Sequence, residues 1–157
     1  MLVVRRAVVG PIAANAYLAA CDRTGEAILV DPGGDVSRVL GMTEPSPAPD
    51  GWGKGSPGED KPGPAPARPG RAEAGEPASF EIRRIFLTHG HPDHLGGVAS
   101  VRERFGPLRV SKRPWPGVDE AAGCEIMPID HGSVIEVEGA RLRAVHAPGH
   151  AEDHLCF

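Results

Sequence analysis

The sequence lacks the features of a disulfide-bonded or secreted protein. Only three of the 157 residues are cysteines, Cys21, Cys124 and Cys156, and no two of them form a CxxC pair. An odd and scattered set predicts neither a disulfide framework nor a zinc knuckle, and it favours a reducing compartment. No signal-peptide pattern of charge, apolar core and cleavage site follows the N-terminus. We therefore expect a cytoplasmic protein, with an organelle as the alternative.

Long apolar runs and an excess of basic residues are also absent. The N-terminal stretch MLVVRRAVVG is interrupted by Arg5 and Arg6 and is much shorter than a membrane span. The formal net charge is −4, whereas binding to a phosphate backbone normally needs a basic patch, which could still exist locally. We expect a protein without membrane contact, and the sequence leaves its oligomeric state unknown.

Hydrophobic residues make up only 40% of the chain, which suggests that part of it is not packed. About half of the 17 prolines lie within residues 43–79, together with many glycines and almost no apolar periodicity. Such a segment buries too little surface to offset its ordering entropy. We predict one domain formed by residues 1–42 and 80–157, with a disordered Pro/Gly-rich insertion at residues 43–79. A PxxP segment that docks a partner, within residues 57–69, is the alternative use of this insertion.

The rest of the chain consists of short strand patterns and two helical patterns. Runs of apolar and β-branched residues bounded by turn residues predict strands at 2–9, 15–21, 27–30, 81–87, 108–111, 124–129, 134–138 and 140–145. The first three of them predict an antiparallel meander. One short helix is expected after Asp35 or Ser37, either of which can cap it, and a second helix over residues 95–105.

The stretch THGHPDHLGG, residues 88–97, contains a dense group of reactive side chains. Three imidazoles and one carboxylate, from His89, His91, Asp93 and His94, fall within six positions directly after an apolar strand pattern. A packed core has no use for adjacent polar groups that each need a hydrogen bond or a cation. A loop that leaves a strand can direct such side chains toward one point, so the spacing predicts a metal site.

The pattern HGHPDH resembles the HxHxDH signature of the metallo-β-lactamase superfamily, which includes glyoxalase II type thioesterases, lactamases and RNA-processing nucleases. Two further stretches are similar to motifs of this family, NAYL with ILVDPGG near the N-terminus and HAPGHAEDHLCF at the end. The resemblance covers the chain apart from residues 43–79. It implies an α+β fold, the αββα metallo-β-lactamase sandwich, of which this chain would supply the N-terminal half only.

The resemblance also implies roles for individual residues. His89, His91 and His150 would bind one zinc ion, and Asp93 and His94 would bind a second. Asp93 would also be catalytic, because it would orient a zinc-bound hydroxide that forms when zinc lowers the pKa of water toward about 7. These assignments describe a hydrolase with one or two zinc ions per chain.

Two further residues are expected behind the metal ligands. The resemblance places Asp31 there, as a carboxylate that orients a ligating imidazole, and a turn-forming aspartate before Pro32 is the alternative. His154 is expected behind the ligands or at the surface rather than on the metal. His131 and His146 are expected to make ordinary hydrogen bonds.

The predicted function is that of a zinc-dependent hydrolase. Its substrate would be a small-molecule thioester, as in glyoxalase II, or single-stranded RNA, as in the endoribonuclease branch. Family members continue with a bridging aspartate, often in a GD pair, and a last histidine, and neither follows the HLCF stretch. We therefore expect a C-terminally truncated chain with an incomplete second metal site. The alternative is a catalytically inactive metal-binding remnant or an interaction module.

Overall fold

A computed structural model describes residues 1–44, 79–137 and 140–157. The main element is a six-stranded mixed sheet whose strands lie side by side in sequence order. These strands are β1 (Leu2–Val9), β2 (Ala14–Cys21), β3 (Glu26–Val30), β4 (Glu81–Phe86), β5 (Arg109–Lys112) and β6 (Ile126–Pro128). The predicted insertion at residues 43–79 lies outside the described residues except at its two ends.

The sheet is antiparallel in its first half and parallel in its second half. Strands β1, β2 and β3 form the predicted antiparallel meander, whereas β4, β5 and β6 each run parallel to the strand before them. The carboxyl ends of parallel strands meet at one edge of a sheet, where ligands of open α/β sheets usually bind. The loops that begin at Asp31, Leu87 and Arg113 therefore start at the same edge, although they are distant in sequence.

Both faces of the sheet are covered. On one face lie α1 (Val36–Thr43) and α3 (Val98–Phe105), whose buried residues join the larger hydrophobic cluster. On the other face lies β7 (Val134–Val137), which pairs with β8 (Ala140–Arg143). The smaller cluster that joins β7 to the sheet consists of Ala19, Ile28, Val30, Phe86, Ile135 and Val137. This order of helices, sheet and second sheet is the one expected for the N-terminal half of an αββα sandwich.

Helix α1 begins at the first of its two candidate caps. The Asp35 carboxylate accepts a hydrogen bond from the backbone N of Arg38 at 3.4 Å and another from the Ser37 hydroxyl at 2.6 Å. The helix ends at Thr43, whose carbonyl oxygen accepts a hydrogen bond from the backbone N of Phe80 at 2.7 Å. The chain thus leaves α1 and returns toward β4 at one point. Among the described residues, no helix is both long enough and apolar enough to cross a membrane.

The second predicted helix is divided in two. One helix was predicted over residues 95–105, but the structure has a single turn, α2 (Pro92–Leu95), followed by Gly96, Gly97 and then α3. A Cβ on Gly97 would lie 2.1 Å from the carbonyl oxygen of Gly33. The backbone N of Gly33 also donates to the carbonyl oxygen of His94 at 3.1 Å. The helical path breaks where the two backbones meet, and glycine provides the close approach.

Several predicted strands are shorter in the structure. The strand predicted at residues 124–129 is reduced to β6, and the one predicted at 140–145 is divided between β8 and β9 (Val145–His146). The division falls at Ala144, whose backbone N donates to Ser133 and whose carbonyl oxygen accepts from Gly132. Ala144 thus bonds to two successive residues, Gly132 and Ser133, which interrupts the regular ladder. Glu138, the last residue of the strand predicted at 134–138, lies outside the described residues.

Two short strands place the end of the chain beside the loop that follows β4. Strand β9 pairs with β10 (Leu155–Cys156), and the backbone N of Leu155 donates to the carbonyl oxygen of Thr88 at 2.8 Å. The rings of Phe86 and Phe157 meet edge to face, with centroids 5.8 Å apart. The loop between β9 and β10, residues 147–154, is therefore held next to the HGHPDH loop.

Candidate metal centre

Two loops bring three imidazoles together at the carboxyl edge of the sheet. His89 and His91 lie on the loop after β4, and His150 lies on the loop between β9 and β10. His89 Nε2 is 3.0 Å from His91 Nδ1 and 3.2 Å from His150 Nε2, and the latter two atoms are 3.1 Å apart. The three residues predicted to share one metal ion thus direct one nitrogen each into the same small volume, although 59 positions separate His91 from His150.

This triangle of nitrogen atoms fits a tetrahedral cation. A neutral imidazole carries one N–H and one lone pair, so lone pairs that face each other repel unless a proton or a cation lies between them. Zinc–nitrogen bonds of about 2.0–2.1 Å place tetrahedral ligands roughly 3.3 Å apart. The observed separations of 3.0–3.2 Å are close to that value. The three histidines could therefore hold one ion and leave its fourth position open.

Hydrogen bonds behind His89 determine which of its ring nitrogens carries the proton. The Thr88 hydroxyl donates to Asp31 Oδ2 at 2.7 Å. Thr88 Oγ1 can then only accept from His89 Nδ1, which lies 2.9 Å away. The proton of His89 therefore resides on Nδ1, and Nε2 presents its lone pair to His91 and His150. Asp31 is thus linked to His89 through the Thr88 hydroxyl.

Burial keeps His89 neutral. The side chain is 1% exposed, and burial, together with the neighbouring charge of His94, lowers the pKa of His89 from 6.5 to about 4. The ring therefore carries no charge at pH 7. A cation can bind to Nε2 without first displacing a proton, which favours metal binding at neutral pH.

Asp31 is buried and has a backbone conformation that is uncommon for residues other than glycine. Its φ angle is +52°, in the left-handed region that residues with a Cβ seldom adopt. The carboxylate accepts a hydrogen bond from the backbone N of Thr88 at 2.8 Å and lies 2.9 Å from His94 Nδ1. A residue that only formed a turn before Pro32 would not need these contacts. An orienting residue would make such contacts, and the orienting role stays a prediction.

The predicted ligands of a second ion lie beside the three-nitrogen group. Asp93 Oδ2 is 3.3 Å from His94 Nε2, and the ring centroids of His94 and His89 are 4.1 Å apart. Burial acts to lower the pKa of His94, but Asp31 and Asp93 outweigh it and raise that pKa above 6.5. One imidazole nitrogen and one carboxylate oxygen are therefore close together here, and a second ion at this pair stays a prediction.

His154 lies against the group without joining it. Its Nδ1 donates to the carbonyl oxygen of Ala147 at 3.1 Å, and its ring centroid is 5.2 Å from that of His89. This is the placement expected of a residue behind the ligands, and its role stays a prediction.

His131 and His146 make ordinary hydrogen bonds at some distance from the group. His146 Nε2 donates to the carbonyl oxygen of Glu152 at 2.8 Å. His131 Nδ1 accepts from the backbone N of His146 at 3.3 Å. Hydrogen bonding alone therefore accounts for both residues.

Three residues near the site were not predicted. The first two are the buried Lys112 and Asp153, with Lys112 Nζ 2.7 Å from Asp153 Oδ2. The third is Trp115, whose ring centroid is 6.3 Å from that of His91. A lysine directly after the strand predicted at residues 108–111 was the available signal for a buried cation. Its carboxylate partner lies on another loop, so no spacing in the sequence points to the pair.

Comparison with known protein families identifies the class to which the chain belongs. The model of the metallo-beta-lactamase superfamily matches residues 9–157. The chain is therefore a member of the metallo-β-lactamase superfamily, as the HGHPDH and PGH motifs predicted.

Two curated relatives show the extent of the similarity. The atrochrysone carboxyl ACP thioesterase of Emericella nidulans is 42% identical over 80 residues, which cover 50% of this chain and 24% of the relative. The lactamase-like protein aptB of the same species is 43% identical over 82 residues, which cover 52% of this chain and 25% of that protein. The chain thus spans about a quarter of the length of these relatives.

Solved structures agree with the predicted fold. ETHE1 from Myxococcus xanthus superimposes with a TM-score of 0.62 at 20% identity, covering 98% of this chain and 52% of that chain. The BLEG-1 B3 metallo-beta-lactamase gives a TM-score of 0.58 at 19% identity, covering 98% and 65%. TTHA1623 in a di-iron-bound form gives 0.57 at 23% identity, covering 96% and 64%. These similarities confirm the metallo-β-lactamase architecture.

Proposed function

We propose that this chain forms the metal-binding part of a metal-dependent hydrolase that cleaves a thioester. The observation that carries the proposal is the convergence of one nitrogen each from His89, His91 and His150 within 3.0–3.2 Å of one another. Relatives named as ACP thioesterases support a thioester as the substrate, ahead of the phosphodiester of single-stranded RNA.

The three histidines would hold the ion, and the chemistry of the donor set favours zinc. Neutral imidazoles in a tetrahedral arrangement with one open position are typical of catalytic zinc. Iron is the competing metal, because TTHA1623 forms a di-iron-bound structure with the same fold. A bound divalent cation supplies Lewis acidity, which lowers the pKa of water and polarises a carbonyl oxygen.

The residues of the chain supply the remaining parts of the reaction. Hydrolysis adds a hydroxyl group to the acyl carbon, breaks the C–S bond and returns a proton to the departing sulfur. Asp93 Oδ2 lies beside His94, whose ring contacts that of His89, and we assign Asp93 the orientation of the attacking water and the acceptance of its proton. His94 Nε2, 3.3 Å from Asp93 Oδ2, would hold that carboxylate in place.

The test uses the 157-residue chain itself, loaded in parallel with zinc or iron. Metal content after gel filtration and hydrolysis of an aromatic acyl thioester, S-lactoylglutathione and single-stranded RNA are measured. We expect at least one tightly held ion per chain and thioester cleavage without RNA cleavage. Less than one ion per chain with no turnover supports the inactive metal-binding remnant, and RNA cleavage alone overturns the substrate assignment.

Replacement of His91 by alanine tests the metal centre directly. We expect the affinity for zinc to fall by more than roughly 100-fold, because loss of an outer partner of a ligand already costs about 10–100-fold. His131→Ala is the matched control, since it also removes a histidine but lies outside the three-nitrogen group. Competition with a chelator measures both affinities. An H91A chain that retains zinc as the wild type does would contradict the assignment.

A further inference from the structure

A lysine is fully buried at the end of β5. The Nζ of Lys112 lies 2.7 Å from Asp153 Oδ2 and 2.6 Å from Asp119 Oδ1, and it donates to the carbonyl oxygen of Arg113 at 2.6 Å. Burial of a charge is costly unless the charge is paired and hydrogen-bonded, and an apolar side chain of similar volume often stabilises a core equally well. Stability alone therefore does not account for a lysine at this position.

Asp153 belongs to the loop that carries His150. The His150 side chain is exposed, so the surrounding core does little to fix its ring. Asp153, three positions later, is 1% exposed and contacts Lys112. The ion pair therefore provides a buried charged contact that ties the His150 loop to β5.

The same ion pair lies against the other ligand loop. A Cβ on Gly90, the residue between His89 and His91, would lie 2.4 Å from Val118 Cγ1, 3.4 Å from Asp153 Oδ2 and 3.5 Å from Lys112 Cε. The ion pair, which includes a residue of the His150 loop, thus lies beside Val118 against the backbone between His89 and His91.

We infer that Lys112 and Asp153 are positioning residues, whose ion pair sets the place of His150 Nε2 relative to His89 and His91. The inference rests on the proposed metal centre but concerns two side chains outside the three-nitrogen group. A shift of Asp153 would carry His150 out of a triangle whose sides measure only 3.0–3.2 Å. Partners behind metal ligands commonly account for about 10–100-fold in metal affinity.

Asp119 offers a matched comparison on the same lysine. Its carboxylate contacts Lys112 Nζ, and its Oδ2 accepts a hydrogen bond from the backbone N of Trp115 at 2.9 Å. The loop of Asp119 carries none of the three imidazoles. Asp153→Asn and Asp119→Asn each leave Lys112 with one charged carboxylate partner, so the two variants have the same net charge. They differ in which loop loses its ion pair with Lys112.

The experiment compares the wild type, D153N and D119N. The Zn²⁺ affinity is measured by chelator competition, the coordination geometry by the visible spectrum of the Co²⁺-loaded chain, and the stability by thermal unfolding of the metal-free chain. We expect D153N to weaken Zn²⁺ binding by about 10–100-fold and to change the Co²⁺ spectrum. D119N should leave the Zn²⁺ affinity and the spectrum as in the wild type, even where its melting temperature falls as far as that of D153N.

Equal losses of affinity in the two variants, or no loss in D153N, would overturn the inference. A wild-type chain that binds neither Zn²⁺ nor Co²⁺ would refute the metal centre itself, and this inference with it. If the wild type binds Zn²⁺ tightly and D153N binds it equally tightly, the positioning inference is refuted and the metal centre is not.

Asp153→Glu provides a second variant should D153N fail to fold. Glutamate keeps the charge and can keep the ion pair, but its side chain is one methylene longer. A role limited to charge or stability predicts wild-type Zn²⁺ affinity for this variant, which would overturn the inference. Positioning predicts a weaker affinity, because the longer side chain displaces the His150 loop.

Discussion

The two loops that supply the three imidazoles are held in place in different ways. The first loop is fixed from inside the domain, since His89 is buried and is hydrogen-bonded through Thr88 to Asp31. The second loop presents an exposed His150; its ends are held by the pairing of β9 with β10, and between them Asp153 makes a charged contact with Lys112. One half of the site is thus part of the core and the other half is docked onto it. Disturbing the first loop should cost stability as well as metal, whereas disturbing the second should cost mainly metal.

Gly97→Ala should have the largest effect, because it disturbs the segment that connects the first loop and α2 to α3. A Cβ at this position would lie 2.1 Å from the carbonyl oxygen of Gly33, and a backbone oxygen cannot move away as a flexible side chain can. We expect the free energy of unfolding to fall by about 3 kcal/mol, the upper part of the usual range for overpacking. Urea unfolding of the metal-free chain measures the change.

Gly41→Ala is the control for that substitution. A Cβ on Gly41 meets no atom within 4 Å, and the residue lies inside α1, where alanine is favoured over glycine by about 0.5–1 kcal/mol. We therefore expect a small gain in stability. A G97A chain as stable as G41A would show that the contact with Gly33 does not fix the segment that follows the first loop and α2.

Alanine at His89 and alanine at His150 should separate the two loops. Each substitution removes one nitrogen of the triangle, so both chains should lose metal. His89→Ala also removes a buried ring and leaves Thr88 without its donor, which should lower the free energy of unfolding of the metal-free chain by about 1–3 kcal/mol. His150→Ala removes an exposed ring and should change it by no more than about 0.5 kcal/mol. Equal losses of stability would contradict the proposed difference between the loops.

The smallest expected effect on stability concerns the Asp35 cap of α1. This helix belongs to neither loop, so the variant provides a reference value for the stability changes above. The hydrogen bond from the Ser37 hydroxyl holds the pKa of the Asp35 carboxyl below its ordinary value of 3.8. Because the folded-state pKa is the lower one, the stabilisation is present above 3.8 and is lost as the pH falls through the folded-state pKa. The difference in melting temperature between the wild type and Asp35→Ala should therefore shrink in acid. A difference that stays constant with pH would show that the charge of the cap contributes nothing.

Local patterns in the sequence predicted more of this molecule than distant pairs did. The meander strands and the loop after β4 were predicted because alternation, turn residues and the HGHPDH spacing are visible within a few positions. The break at Gly97 depends on Gly33, which the chain reaches much earlier, so helical periodicity alone suggested one continuous helix. The partners of Lys112 lie on two other loops. Neither the Gly97–Gly33 contact nor the Lys112 ion pairs produce a periodic pattern in the sequence. Both depend on the sheet, which brings the separate loops to one edge.

The hydrogen bond between Phe80 and Thr43 has a consequence for how this domain accommodates change in length. Because the chain leaves α1 and re-enters at β4 through one junction, the number of residues between the two points has little influence on the sheet. In general, doubling the number of residues between two fixed points of a chain adds only about 0.6 kcal/mol of closure entropy. Insertions and deletions at this junction can thus accumulate during evolution. The junction lies before the first residue of β4, whereas His89 and His91 follow its last residue, so the geometry of the imidazoles stays the same.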